Sequence, residues 1–77
     1  MNVTADHELR RDVGYRLRAL RAASGKSQET VVQEIGITQA ALSNYETGKR
    51  EVPLSTLVRL ARHFDVSLDT LVFGASS

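Results

Sequence analysis

Gln39, Ala40, Ser43, Asn44 and Thr47 follow one another at i, i+1, i+4, i+5 and i+8, a spacing that gathers them on one side of a helix. Together they offer amide and hydroxyl donors and acceptors and a methyl, without a formal charge. An ordinary solvated helix face is rich in Lys and Glu. This inventory suits the base edges of a DNA major groove, where Gln and Asn bond adenine N6 and N7 bidentately and Ala touches the thymine methyl. Composition alone leaves a plain polar surface and a base-reading face both open. The flanking residues favour the second. Gln28 directly follows a cap candidate, Ser27, so it stands at a helix N-terminus, where free N–H groups and the helix dipole favour a phosphate. Lys49 and Arg50 follow the uncharged stripe immediately and can reach a sugar-phosphate backbone.

Other chemistries find little support. The chain has no cysteine, which excludes disulfides and thiolate metal sites and is compatible with a reducing, cytoplasmic compartment. His7 and His63 supply too few nitrogens for a histidine-rich site, and His63 with Asp65 makes only two ligands, so neither a metal nor a cofactor is expected. Gly25-Lys26-Ser27 imitates the end of a phosphate-binding loop, but the earlier glycine that motif needs is Leu20. Ser27, Ser43, Ser55 and Ser67 have no His/Asp companion at a fixed spacing, and an enzyme is not expected. The apolar runs stop at three residues, as in Leu71-Val72-Phe73, so neither a signal peptide nor a membrane span is expected. Asn2-Val3-Thr4 is a glycosylation sequon in form only.

The elements that must hold the stripe are short helices. Leu9, Val13, Leu17 and Leu20 mark the apolar face of the first, which Gly25 ends as a left-handed cap. Ser27 caps a second helix whose inward residues are Val31, Val32 and Ile35, stopped by Gly36. Thr38 caps a third from Gln39 to about Thr47, with Leu42 and Tyr45 inward and Gly48 closing it. Pro53 fits the first turn of a fourth helix, with Leu57, Leu60, Ala61 and Phe64 as its stripe. Ser67 caps a fifth that carries Leu68, Leu71 and Val72. No segment alternates with period two. The expectation is an all-α domain of five helices over residues 9–73, preceded by a flexible segment 1–8 and followed by a tail 74–77.

The 77 residues allow one small domain, with no room for a ligand-sensing one. A net charge of +1 looks unfavourable for binding nucleic acid, but it averages an uneven chain. Residues 10 to 26 carry six of the ten basic side chains and one of the nine acidic ones.

Ser27-Gln28-Glu29, Gly36-Ile37-Thr38-Gln39, Leu42-Ser43-Asn44-Tyr45-Glu46, Gly48-Lys49-Arg50 and Thr56-Leu57 occur in that order. The chain thereby resembles the phage-repressor-like Cro/CI (Xre) helix-turn-helix family over residues 10 to 73. The resemblance implies a compact five-helix, lambda-repressor-like domain that binds double-stranded operator DNA as a homodimer and regulates transcription, as a repressor. It places Gln39, Ala40 and Asn44 against base edges and Ser43 against base or phosphate. Gln28, Thr38, Lys49 and Arg50 fall on the DNA backbone, and Arg21 and Glu46 on an ion pair between the first and third helices. Val32 replaces the family's usual alanine, and Val52 replaces a proline that here stands one place later. A short last helix cannot bury Leu71, Val72 and Phe73 together, and a symmetric dimer contact would cover the remainder. The alternative is the same fold used as a protein-interaction module in an antitoxin-like pair.

Overall fold

A computed structural model of the chain describes residues 3–74. It holds five helices: α1 (Val3–Ala23), α2 (Gln28–Ile35), α3 (Gln39–Glu46), α4 (Leu54–His63) and α5 (Leu68–Phe73), with no strand among the described residues. The all-α architecture is the expected one. Local chemistry sets most boundaries. Ser27, Thr38 and Ser67 accept from the backbone N–H groups of Thr30, Ala41 and Thr70 at 3.0–3.1 Å, each satisfying a donor that the first turn leaves open. Gly36 ends α2 in the left-handed region at φ 83°, its N–H bonding Val32 O.

Two boundaries differ from expectation. The helix does not begin at Leu9. It runs unbroken from Val3, so Val3 to Glu8 belong to α1, while Met1 and Asn2 lie outside the described residues. The apolar stripe is a poor guide to this boundary: Leu9, its first member, is itself 42% exposed. Pro53 is the N-cap of α4 and not a residue of its first turn, since its ψ of 147° is extended. Its carbonyl accepts the first bond from Leu57 N at 2.8 Å, a role that needs no N–H. At the other end Gly74 caps α5 by donating to Thr70 O, and the remainder of the expected tail, residues 75–77, lies outside the described residues.

The core gathers Val13 and Leu17 of α1, Val31, Val32 and Ile35 of α2, Leu42 and Tyr45 of α3, Leu60 and Ala61 of α4, and Leu71 of α5. α1 packs on α3 and α5, while α2 packs on α3 and α4. The α1–α3 approach is close enough to demand glycine. A Cβ on Gly14 would stand 2.3 Å from Tyr45 O and 2.7 Å from Glu46 O, and backbone atoms cannot step aside. Arg16 ties α5 to α1, donating through Nη1 to Val72 O at 2.6 Å and Leu71 O at 3.4 Å. The α2–α4 junction carries exposed charge instead. Glu34 accepts from Lys26 Nζ at 2.8 Å and lies 3.3 Å from His63 Nε2.

Candidate DNA interface

α2, the turn Gly36-Ile37-Thr38 and α3 form one unit, with Val31, Val32, Ile35 and Leu42 buried between them and the remaining helices. That burial leaves the opposite side of α3 to solvent. Thr38, Gln39, Ala40 and Thr47 are exposed, and Ser43 and Asn44 are half-buried. All four proposed base readers therefore lie on one accessible stripe. The chain after α3 folds back on it. Asn44 O accepts from Lys49 N at 2.9 Å and Arg50 N at 3.3 Å, which places two exposed cations beside Asn44.

The stripe is held from behind by Glu46, whose side chain is 4% exposed. Arg21 grips it bidentately, Nε to Oε2 at 2.7 Å and Nη2 to Oε1 at 3.1 Å. The hydrogen bond to Glu46 raises the Arg21 pKa above its ordinary value, against the opposing effect of burial and with help from the charge of Glu46. The pair implied by the resemblance is thus present. Arg21 also donates through Nη1 to Lys26 O at 3.1 Å, tying the α1–α2 turn to the same node.

Gln28 joins this network. Its Nε2 donates to Glu46 Oε1 at 2.9 Å, and its Oε1 faces Gln39 Nε2 at 3.5 Å. Polarity fixes the order, because an ionised carboxylate only accepts. Gln28 must turn its nitrogen to Glu46 and its oxygen to Gln39, so Gln39 offers its own oxygen and one N–H outward. Gln28 keeps one further amide N–H beside the backbone N–H groups of the α2 N-terminus.

Three side chains at the end of the chain separate. Leu71 is completely buried in the monomer core, Val72 is half-buried and Phe73 is 76% exposed. Leu71 is therefore withdrawn from the expected dimer contact, because its surface is already covered within one chain. Sequence reasoning overlooked Gly14 and Arg16. A glycine inside an otherwise helix-forming run was the available signal for the first; nothing local marked the second, whose partners lie 55 and 56 residues away. No group of three or more His, Asp or Glu side chains converges as a metal site among the described residues. No helix among them is long and apolar enough to cross a membrane.

A short helix, a glycine turn and a second short helix with an uncharged exposed stripe define a helix-turn-helix protein. Residues 17–71 match the helix-turn-helix family model, and the chain belongs to that family, the Cro/CI (Xre) type of DNA-binding transcriptional regulators. It is 39% identical over 61 residues to the SPbeta prophage-derived uncharacterized HTH-type transcriptional regulator YonR of Bacillus subtilis, covering 79% of this chain and 56% of that protein. To the uncharacterized HTH-type transcriptional regulator YobD of the same organism it is 40% identical over 57 residues, 74% of this chain and 51% of that one. The chain spans about half the length of these curated relatives. In solved structure it is similar to the restriction-modification controller protein C.AhdI from Aeromonas hydrophila. The TM-score is 0.75 at 35% identity, covering 80% of this chain and 94% of that one.

Proposed function

We propose that this protein is a sequence-specific repressor that binds double-stranded DNA as a homodimer on a palindromic operator. α3 enters the major groove, where Gln39, Ala40, Ser43 and Asn44 read base edges. Gln28, Thr38, Lys49 and Arg50 hold the phosphate backbone and set the register. One observation carries the reading: an accessible, uncharged amide stripe backed by the half-buried Arg21–Glu46–Gln28 network and flanked by cations. Dimerisation uses Phe73 and Val72 together with Leu54, which is 72% exposed and borders an apolar groove of about 270 Å³ between α1, α4 and α5. Half-sites then lie about 10 bp apart, one turn of the duplex.

Selection of bound sequences from random duplexes tests this directly. A palindrome with that spacing supports the dimeric reader, and an absence of any preferred sequence overturns it. Gln39→Ala should cost about 1–3 kcal/mol at one base pair and relax preference there; equal losses on selected and scrambled duplexes would remove Gln39 from the reading set. The exposed Phe73 and Leu54 also suit a foreign protein, as in an antitoxin-like pair. A monomeric chain that selects no DNA favours that second reading.

A further inference from the structure

The geometry points to a further DNA-backbone contact supplied by α1, in which Arg11 and Arg18 bind phosphate along the flank of α3; it rests on the reading of α3 as the helix in the major groove. Arg11, Tyr15 and Arg18 share one face of α1, with the two arginines about 10 Å apart along the axis. Together with Glu46 and Thr47 at the end of α3, they line an open polar groove of about 410 Å³. Thr47 continues the stripe that begins at Gln39 and Ser43, so this groove borders the base-reading face. At Arg11 it also meets the loop that follows α3. Gly48 rests on α1 so closely that a Cβ there would stand 2.8 Å from Arg11 Cγ and 2.9 Å from Arg11 Cα. Lys49 and Arg50 come next in the chain.

Both arginines are available. They are exposed, and among the described residues neither has a carboxylate within 4.0 Å, whereas Arg21 is engaged by Glu46 and Arg16 by the carbonyls of α5. Tyr15, 74% exposed between them, adds a phenolic donor. A helix about 10–12 Å across fills a major groove about 12 Å wide, so the elements beside α3 stand over the phosphate ridges. The N-terminus of α2 covers one ridge, and the Gly48 loop with α1 covers the other. Glu8 and Asp12 line the same groove and offset the arginines in net charge, so the attraction acts at contact range. The family match begins at Leu17, N-terminal to which Arg11 and Tyr15 lie.

The test measures affinity for the duplex obtained by selection, and for a scrambled one, between about 50 and 200 mM salt. It compares the full chain with Arg11→Gln, Arg18→Gln, the double variant, Arg11→Lys and Arg62→Gln. Arg62 is an exposed arginine on the α2–α4 groove with Glu34 and His63 and serves as the charge-matched control. Each glutamine on α1 should lower the slope of log affinity against log salt by about 0.9, on both duplexes, without changing the selected sequence. Arg11→Lys should restore the slope, and Arg62→Gln should leave it alone. Thermal unfolding of each variant confirms that the fold is retained. A wild-type slope in the double variant overturns the α1 contact, as does an equal fall in Arg62→Gln, which would mark a net-charge effect. If the unaltered chain selects no sequence, the reading of α3 falls and the α1 contact with it; selection with unchanged slopes removes the α1 contact alone.

Discussion

The α1–α3 seam and the α2–α4 seam each join one helix of the helix-turn-helix to the rest of the molecule, by opposite means. Between α1 and α3 the backbones meet at Gly14, and the carboxylate beside them is withdrawn from water and held by two side chains. Between α2 and α4 the nearest glycine, Gly36, has room for a Cβ, which would lie at an ordinary 3.5 Å from Arg59 Nη2. The carboxylate there, Glu34, is exposed and shared between Lys26 and His63. The difference teaches where positional accuracy resides. α3, which carries the uncharged stripe, is fixed by a seam whose ion pair is withdrawn from water, whereas the α2–α4 seam adds an exposed pair at its edge.

The comparison breaks most visibly at Gly14. Gly14→Ala should destabilise by about 3 kcal/mol, the upper end for overpacking, because the new methyl meets carbonyl oxygens and not a movable side chain. Urea denaturation reads this, and the alanine at Gly36 provides a useful foil: there the strain is in φ and not in packing. Glu46→Gln should cost about 2 kcal/mol by leaving Arg21 without its counter-charge, and should also weaken selective DNA binding by loosening Gln28 and Gln39. Replacing both members, as in Arg21→Met with Glu46→Leu, should recover most of the stability but not the selectivity. A double variant that reads DNA normally would show that the node holds the fold and leaves the stripe alone.

Glu34 gives the smallest effect and separates the seams by pH. The hydrogen bond from Lys26 holds its carboxyl below the ordinary value, opposed by burial and aided by the charges of Lys26 and His63. Its contribution is thus complete above the unfolded-state pKa and disappears as pH falls through the lower folded-state value. Glu34→Gln should change the unfolding midpoint little at neutral pH and remove a shallow acid-side loss that the unaltered chain shows. Arg21, with its pKa raised, contributes at neutral pH and on the alkaline side loses its contribution only as pH rises above the ordinary arginine range. Equal acid slopes in the two chains would mean that Glu34 forms no lasting pair in solution.

Much of this arrangement is legible in the residues alone, where the determining interactions are local. Ser27, Thr38 and Ser67 bond within their own first turn, and Gly36 turns where only a residue without a side chain does so at no cost. The stripe on α3 is equally local, since helical spacing dictates it. What escapes is set by distant partners. Gly14 reads as a poor helix former until α3 is laid against it, and Arg16 reads as one more charge on an arginine-rich face. The start of α1 escapes for another reason. Thr4 to Glu8 are mostly polar in sequence, so no apolar period marks the helix there. Gln28 is legible as a polar residue at a helix N-terminus, but its bond to Glu46 appears only when the two helices meet.

The bond from Arg16 to Val72 bears on how the chain reaches its folded state. It joins positions 56 residues apart, while the helix-turn-helix is assembled from contacts within a short stretch. During synthesis α1, α2 and α3 emerge from the ribosome before the segment that closes on them, and Leu71, the fully buried residue of α5, comes late. Closing so long a loop costs more entropy than forming the local helices. A nascent or proteolytically shortened chain lacking α5 would present its helices with the core open to water. Docking of α5 and competence to bind would then arrive together, and a single cleavage near Ser67 would be enough to end both.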